Sequence, residues 1–148
     1  MKYRQQFMRR TEMRELEQIK EDIEKVENGE YGGNLDFAYS ALRGIVKAQP
    51  KLASEVLEVV NTGLQSDKND HYSLGFAYRA LGDVVQAQPE LAPEVFKTFN
   101  TVLKHKNNDG DSLYSAFDTL RDITEVQPEL ASEVLNLVNT GLQNKENT

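Results

Sequence analysis

The chain has no cysteine and no tryptophan, only four prolines and two histidines among 148 residues, and no long apolar run. Without cysteine there is no disulfide framework, no thiolate metal site and no cysteine nucleophile. The absence also fits an intracellular, cytoplasmic home. The most apolar windows span about a dozen residues and carry charges, whereas a membrane helix needs about 20 apolar residues. The start, Met1-Lys2-Tyr3-Arg4-Gln5-Gln6-Phe7, lacks the apolar core of a signal peptide. Basic charge is short too: net charge is −7. Residues 110–148 hold two Lys/Arg against seven Asp/Glu. Duplex binding draws its affinity from a basic stripe, so nucleic acid is a minor alternative, confined to the basic residues within 1–14. Membrane contact is limited to the same stretch.

The few prolines are placed with regularity. Gln49-Pro50-Lys51-Leu52-Ala53, Gln88-Pro89-Glu90-Leu91-Ala92 and Gln127-Pro128-Glu129-Leu130-Ala131 follow one another at 39-residue intervals. Internal periodicity of this length is the signature of stacked helical units. One domain over 1–148 is expected. It comprises an N-terminal helix and loop (1–31) and three units (32–70, 71–109, 110–148). Columns such as Leu35/Leu74/Leu113, Leu42/Leu81/Leu120 and Val56/Val95/Val134 are unchanged in all three.

Within 1–28, Leu16, Ile19, Ile23 and Val26 make one apolar stripe, and Gly29 marks the stop. Basic residues come first and acidic ones last, against the helix dipole, so packing on the first unit must hold this helix. It is expected to cap the array; a short coiled-coil segment and a basic arm are the alternatives. Each unit is expected to hold two helices. The column Asn34/Ser73/Ser112 supplies the first cap, and the residue before proline ends that helix. Proline then opens the second helix. Polar Asn-Asp loops close the units.

The run from Pro89 to Lys104, an Asn-Asp loop, and then Ser112-Leu-Tyr-Ser-Ala116-Phe-Asp-Thr-Leu120 resembles a HEAT repeat. The resemblance covers about residues 35–143 and lacks the Val-Arg that this family places after the loop. It implies an all-α fold of the α-α superhelix class: a short right-handed solenoid of three helix pairs with an N-terminal capping helix. It also implies that the first helix of each pair lines a concave surface. A 34-residue tetratricopeptide period fits less well.

Chemistry has few candidates. His71 and His105 fall at the Asn-Asp loops without metal-ligand spacing, and are expected to be solvated loop residues. Asn107-Asn108-Asp109-Gly110-Asp111 lacks the ligand pattern of a calcium loop. Glycine-rich nucleotide loops and a serine nucleophile elbow are missing, and Glu55, Glu94 and Glu133 are periodic instead of singular. No catalytic, cofactor-binding or metal residue is assigned, and a non-enzymatic scaffold is expected. The Asn-Thr column (Asn61, Asn100, Asn139 with Thr62, Thr101, Thr140) is expected to form a buried ladder between units, so that losing the Asn100 side chain would lower the melting temperature.

Where the units differ, a partner can be recognised. On the first helices these positions include Arg43 and Lys47, then Arg79 and Gln86, then Tyr114, Asp118, Arg121 and Glu125. They are the candidate binding residues for another protein, with Tyr114 and Arg121 as anchors. A drifting solvated face is the alternative. A second possibility is a homo-oligomer through an uncovered last helix presenting Val134, Leu135, Leu137 and Val138.

Overall fold

The computed structural model describes residues 2–30 and 35–146, with side chains described over 13–30 and 35–143. Among these residues the fold is all-helical. Helix α1 (Lys2–Glu27) precedes α2 (Asp36–Ala48), α3 (Ala53–Leu64), α4 (His71–Ala87), α5 (Ala92–Val102), α6 (Gly110–Val126) and α7 (Ala131–Glu146). Helices α2, α4 and α6 pack side by side as one layer. Helix α5 packs on both α3 and α7 in the other layer.

The predicted stripe of α1 is its buried face: Leu16, Ile19, Ile23 and Val26 are all in the core, and α1 packs on both α2 and α3. Its end is closed by Gly29 at φ 75°, where a glycine avoids the Cβ clash of the left-handed region. The Glu30 amide donates to the Lys25 carbonyl at 2.9 Å and the Gly29 amide to Val26 at 3.1 Å, the two bonds of a Schellman cap.

The helix starts differ from the expected caps. In α4 and α6 the capping residue is an aspartate three positions earlier. Asp70 accepts from the Ser73 amide at 2.8 Å, and Asp109 from the Ser112 amide at 2.9 Å. Each serine hydroxyl accepts in return from the aspartate's own amide at 2.8 Å, closing a capping box. Ser73 and Ser112 are thus the third helical residues, and Asn34 lies outside the described residues. The equivalent of Asp70 in the first unit is Tyr31, which lies outside the described residues.

The prolines behave as restricted φ and a missing donor require. Gln49, Gln88 and Gln127 are pushed to extended geometry. One 3-10 turn follows in each unit (Pro50–Leu52, Pro89–Leu91, Pro128–Leu130) before the second helix begins at Ala53, Ala92 or Ala131. The Gln88 amide group donates to the Pro50 carbonyl at 3.2 Å, tying one turn to the next.

The Asn-Thr column does not form the expected ladder; the polar ties between units come from scattered helix, turn and loop residues. Asn100 and Asn139 are exposed; Thr62 and Thr140 donate to carbonyls four residues back in their own helices. Only Asn61 is used across units, accepting from Thr98 at 2.8 Å. Within each of the first two units a loop asparagine makes the buried polar bonds. Asn108 donates to the Val102 and His105 carbonyls (2.9 and 3.2 Å) and accepts from the Tyr78 hydroxyl at 2.7 Å. Asn69 repeats this with the Gly63 and Ser66 carbonyls and with Tyr39 at 2.8 Å. Each asparagine therefore adds a side-chain donor to carbonyls at a helix end, beneath a buried tyrosine. Burial pushes the Tyr39 and Tyr78 hydroxyls well above the ordinary range, so both remain donors. Asn107 then donates to the Asn69 carbonyl at 2.7 Å, joining one loop to the next.

Helices α4 and α6 meet closely because Gly82 has no side chain. A Cβ there would stand 2.9 Å from the Thr119 hydroxyl, which is fixed by donating to the Tyr78 carbonyl at 2.9 Å.

Two stability predictions follow from these contacts. Asn108→Ala removes the short acceptor of the Tyr78 hydroxyl, leaving it only the Val102 carbonyl at 3.4 Å, along with two side-chain bonds to carbonyls. It should destabilise by about 1–2 kcal/mol, whereas Asn100→Ala should stay within about 0.5 kcal/mol, and urea denaturation of both variants checks the contrast. Gly82→Ala should lose about 1–2 kcal/mol by forcing the two helices apart. Gly44→Ala, with open space around its Cβ, should gain about 0.5–1 kcal/mol from helix propensity. Equal effects at the two glycines in the same assay would exclude the close approach as the cause.

Candidate functional site

The close approach of α4 and α6 leaves a groove along their outer surface. Its floor is small and largely buried: Gly75 and Gly82 from α4, Ser115 and Thr119 from α6. Its walls are long. On α4, Tyr72, Phe76, Arg79, Asp83 and Gln86 recur at spacings of four and three residues, one helical stripe. On α6, Asp111, Tyr114, Asp118 and Asp122 do the same.

The groove has two halves that share Arg79, Tyr114 and Ser115. The half at the helix starts is a cleft of about 270 Å³ between Tyr72, Phe76 and Tyr114. The other half, about 200 Å³, is charged and lined by Arg43, Asp83, Gln86, Asp118 and Asp122. Tyr114 is 74% exposed and Tyr72 62%. Arg79 lies 5.7 Å from the centre of the Phe76 ring, in cation–π range.

The predicted residues divide into four groups. Arg79, Gln86, Tyr114 and Asp118 line the groove together. Arg43 reaches it from α2 but is already engaged, donating to Asp83 at 2.7 Å across the helix interface with both side chains partly buried. Arg121 and Glu125 stand on the rim, Arg121 paired with Asp118 at 2.7 Å. Lys47 is exposed near the end of α2 and lines no part of the groove.

Sequence reading missed Tyr72 and Phe76. The signal was present: stepping back from Gln86 by three and four residues passes through Asp83, Arg79, Phe76 and Tyr72. All four of those columns vary between units: Gly44/Asp83/Asp122, Ser40/Arg79/Asp118, Phe37/Phe76/Ser115 and Gly33/Tyr72/Asp111. Gly75 and Gly82 become a floor only because α6 packs beside them.

Asp122 is the electrostatic focus. Burial and the adjacent Asp118 hold its carboxyl above the ordinary range, and Glu125 adds to this. Arg121 and a hydrogen bond from Gln86 pull the other way. Asp36 is also raised, first by burial and then by Asp70. Neither histidine is simply a solvated loop residue: His71 opens α4 and lines the aromatic half of the groove, and only His105 lies in a loop, half-buried. His71 stands 3.8 Å from the Asp109 carboxylate of the next loop, and His105 accepts from the Asn107 amide at 3.1 Å. Burial lowers the His105 pKa. The described residues contain no group of three or more His, Cys, Asp or Glu arranged to hold a metal ion, and no described helix is long and apolar enough to cross a membrane.

Comparison with protein-family models, with curated proteins and with solved structures finds no match to this chain.

A carboxyl raised on folding binds its proton more tightly in the folded state. Its contribution to stability is therefore greatest at low pH and declines as pH climbs from 3.8 through the raised folded value. Asp122→Asn removes that decline. The variant should melt above the parent near neutral pH, with the gap closing as pH falls below 3.8. Melting curves across this range check it, and a gap constant with pH would exclude the electrostatic cause.

Proposed function

We propose that this chain is a non-enzymatic helical-repeat module that binds another protein. In this reading the three units form a short superhelical solenoid of HEAT-like helix pairs, α2, α4 and α6 line its concave side, and the partner lies along the α4–α6 groove. The observation that carries the reading is the position of Tyr114: a large, 74% exposed aromatic ring beside Tyr72, Phe76 and Arg79, over a floor of small residues. Tyrosine and arginine are the residues most often found as binding hot spots, since they offer large contact area and a polar end together. The charged half of the groove adds direction. A partner segment would meet aromatic rings at one end and a mixed Arg43–Asp83, Asp118, Asp122 surface at the other, and so could dock in one register.

The test is affinity purification from the native host, followed by titration of the captured partner against variants. Tyr114→Ala should weaken binding tenfold or more, as a central anchor does, and Asp118→Lys with Glu125→Lys should weaken it and alter its salt dependence. All three side chains are exposed or half-exposed, so the melting curve should hold. A partner indifferent to both variants would discard the reading.

A further inference from the structure

A second surface lies at the other end of the molecule, independent of the groove. Ala131, Leu135, Val138 and Leu142 follow one another along α7 at spacings of four, three and four, a single apolar stripe. The equivalent stripes on α3 and α5 are buried by the helices of the following unit. Leu57 is 3% exposed and Phe96 9%, but Leu135, the third of the column, is 61% exposed. Leu64 and Leu103 are 6% and 2% exposed, against 45% for Leu142. The expected set was different in part: Val134 and Leu137 are buried at 8% and 6%, because they face α6 within the pair. The open face is the stripe beside them.

We infer that this stripe is a self-association surface, on which α7 of one copy packs antiparallel against α7 of a second copy. Three observations select that occupant. The spacing is palindromic, so a two-fold axis sets the small Ala131 against Leu142 of the second copy and the exposed Leu135 against Val138, which is half-buried against its own core. Such an isologous pairing is closed and stops at two. The flanks are neutral as well. Ser132, Asn139 and Gly141 border the stripe, and the one charge between Ala131 and Gln143 is Glu133, on the opposite side of the helix. Packing two copies therefore brings no like charges into contact. Finally, the same stripe in the first two units is covered by helices of this same chain, which shows what shape of surface it fits.

The interface is one helix pair wide, well below the ~800 Å² per partner of a standard stable complex, so the dimer forms only at high concentration. The third unit is strongly acidic overall, with two basic and seven acidic residues. Copies therefore repel at long range, and added salt should strengthen association by screening. A charge-matched groove complex would respond the opposite way.

Light scattering on the full chain from micromolar to millimolar concentration, at low and high salt, reads the outcome. The mass should rise from one chain toward two, more at high salt. Leu135→Glu should hold it at one without changing the far-ultraviolet circular dichroism. Because the chain has no cysteine of its own, Val138→Cys should be captured as a dimer by a short bismaleimide, and Glu133→Cys should not. A mass of one chain at every concentration overturns the proposal. So does a dimer that survives Leu135→Glu or is trapped equally by both cysteine variants.

Discussion

Each helix pair in this chain has more apolar surface than its own two helices can cover, and the next pair covers the remainder. That constraint explains the rest of the architecture. Leu57 and Phe96 are buried only because the following unit is present, and α1 performs the same service for the first unit with Leu16, Ile19, Ile23 and Val26. Burial of a leucine-sized side chain is worth about 1.5–3 kcal/mol, so several such contacts per junction outweigh the opposed dipole charges of α1, worth about 0.3–1 kcal/mol each. The helix order is therefore set by packing, with electrostatics as a correction.

Close stacking creates a polar problem at the loops, where buried carbonyls at the helix ends have room for a further donor. Asn69 and Asn108 answer it, each held by a tyrosine from the helix beneath. Among the described residues the third unit has no such lock, because Phe117 stands where Tyr39 and Tyr78 stand and phenylalanine has no hydroxyl to donate. The ties between units are uneven as well. Gln88 to Pro50, Asn107 to Asn69 and Arg43 to Asp83 bind the second unit to the first, and Thr119 and the small Gly82 bind the third to the second.

The groove is a by-product of that unevenness. Where α2 meets α4, Arg43 fills the interface and pairs with Asp83. Where α4 meets α6, the residue equivalent to Arg43 is Gly82, and the space above it stays open. The third equivalent, Arg121, has no following helix among the described residues and pairs instead with Asp118 of its own helix. One column thus supplies an ion pair, a groove floor and a rim.

The sequence by itself determined the helices and their punctuation. Local rules suffice there: a proline restricts the residue before it, glycine admits a positive φ, and apolar spacing selects a face. The stripe of α1, the 39-residue period and the all-helical content were legible for that reason. The serine column was misplaced as a cap because an aspartate three residues away competes for the same amides, and only geometry decides which is outermost. The Asn-Thr column misled more fully, since repetition marks a residue as compatible with every unit without saying whether it faces protein or water. Tertiary structure alone decided which side of each helix meets a neighbour. It thereby made Gly82 a floor, set Tyr72 and Phe76 beside Tyr114, and left Leu135 uncovered while Val134 is buried. Burial is a property of pairs of elements, and the spacing within one helix fixes only which residues share a face.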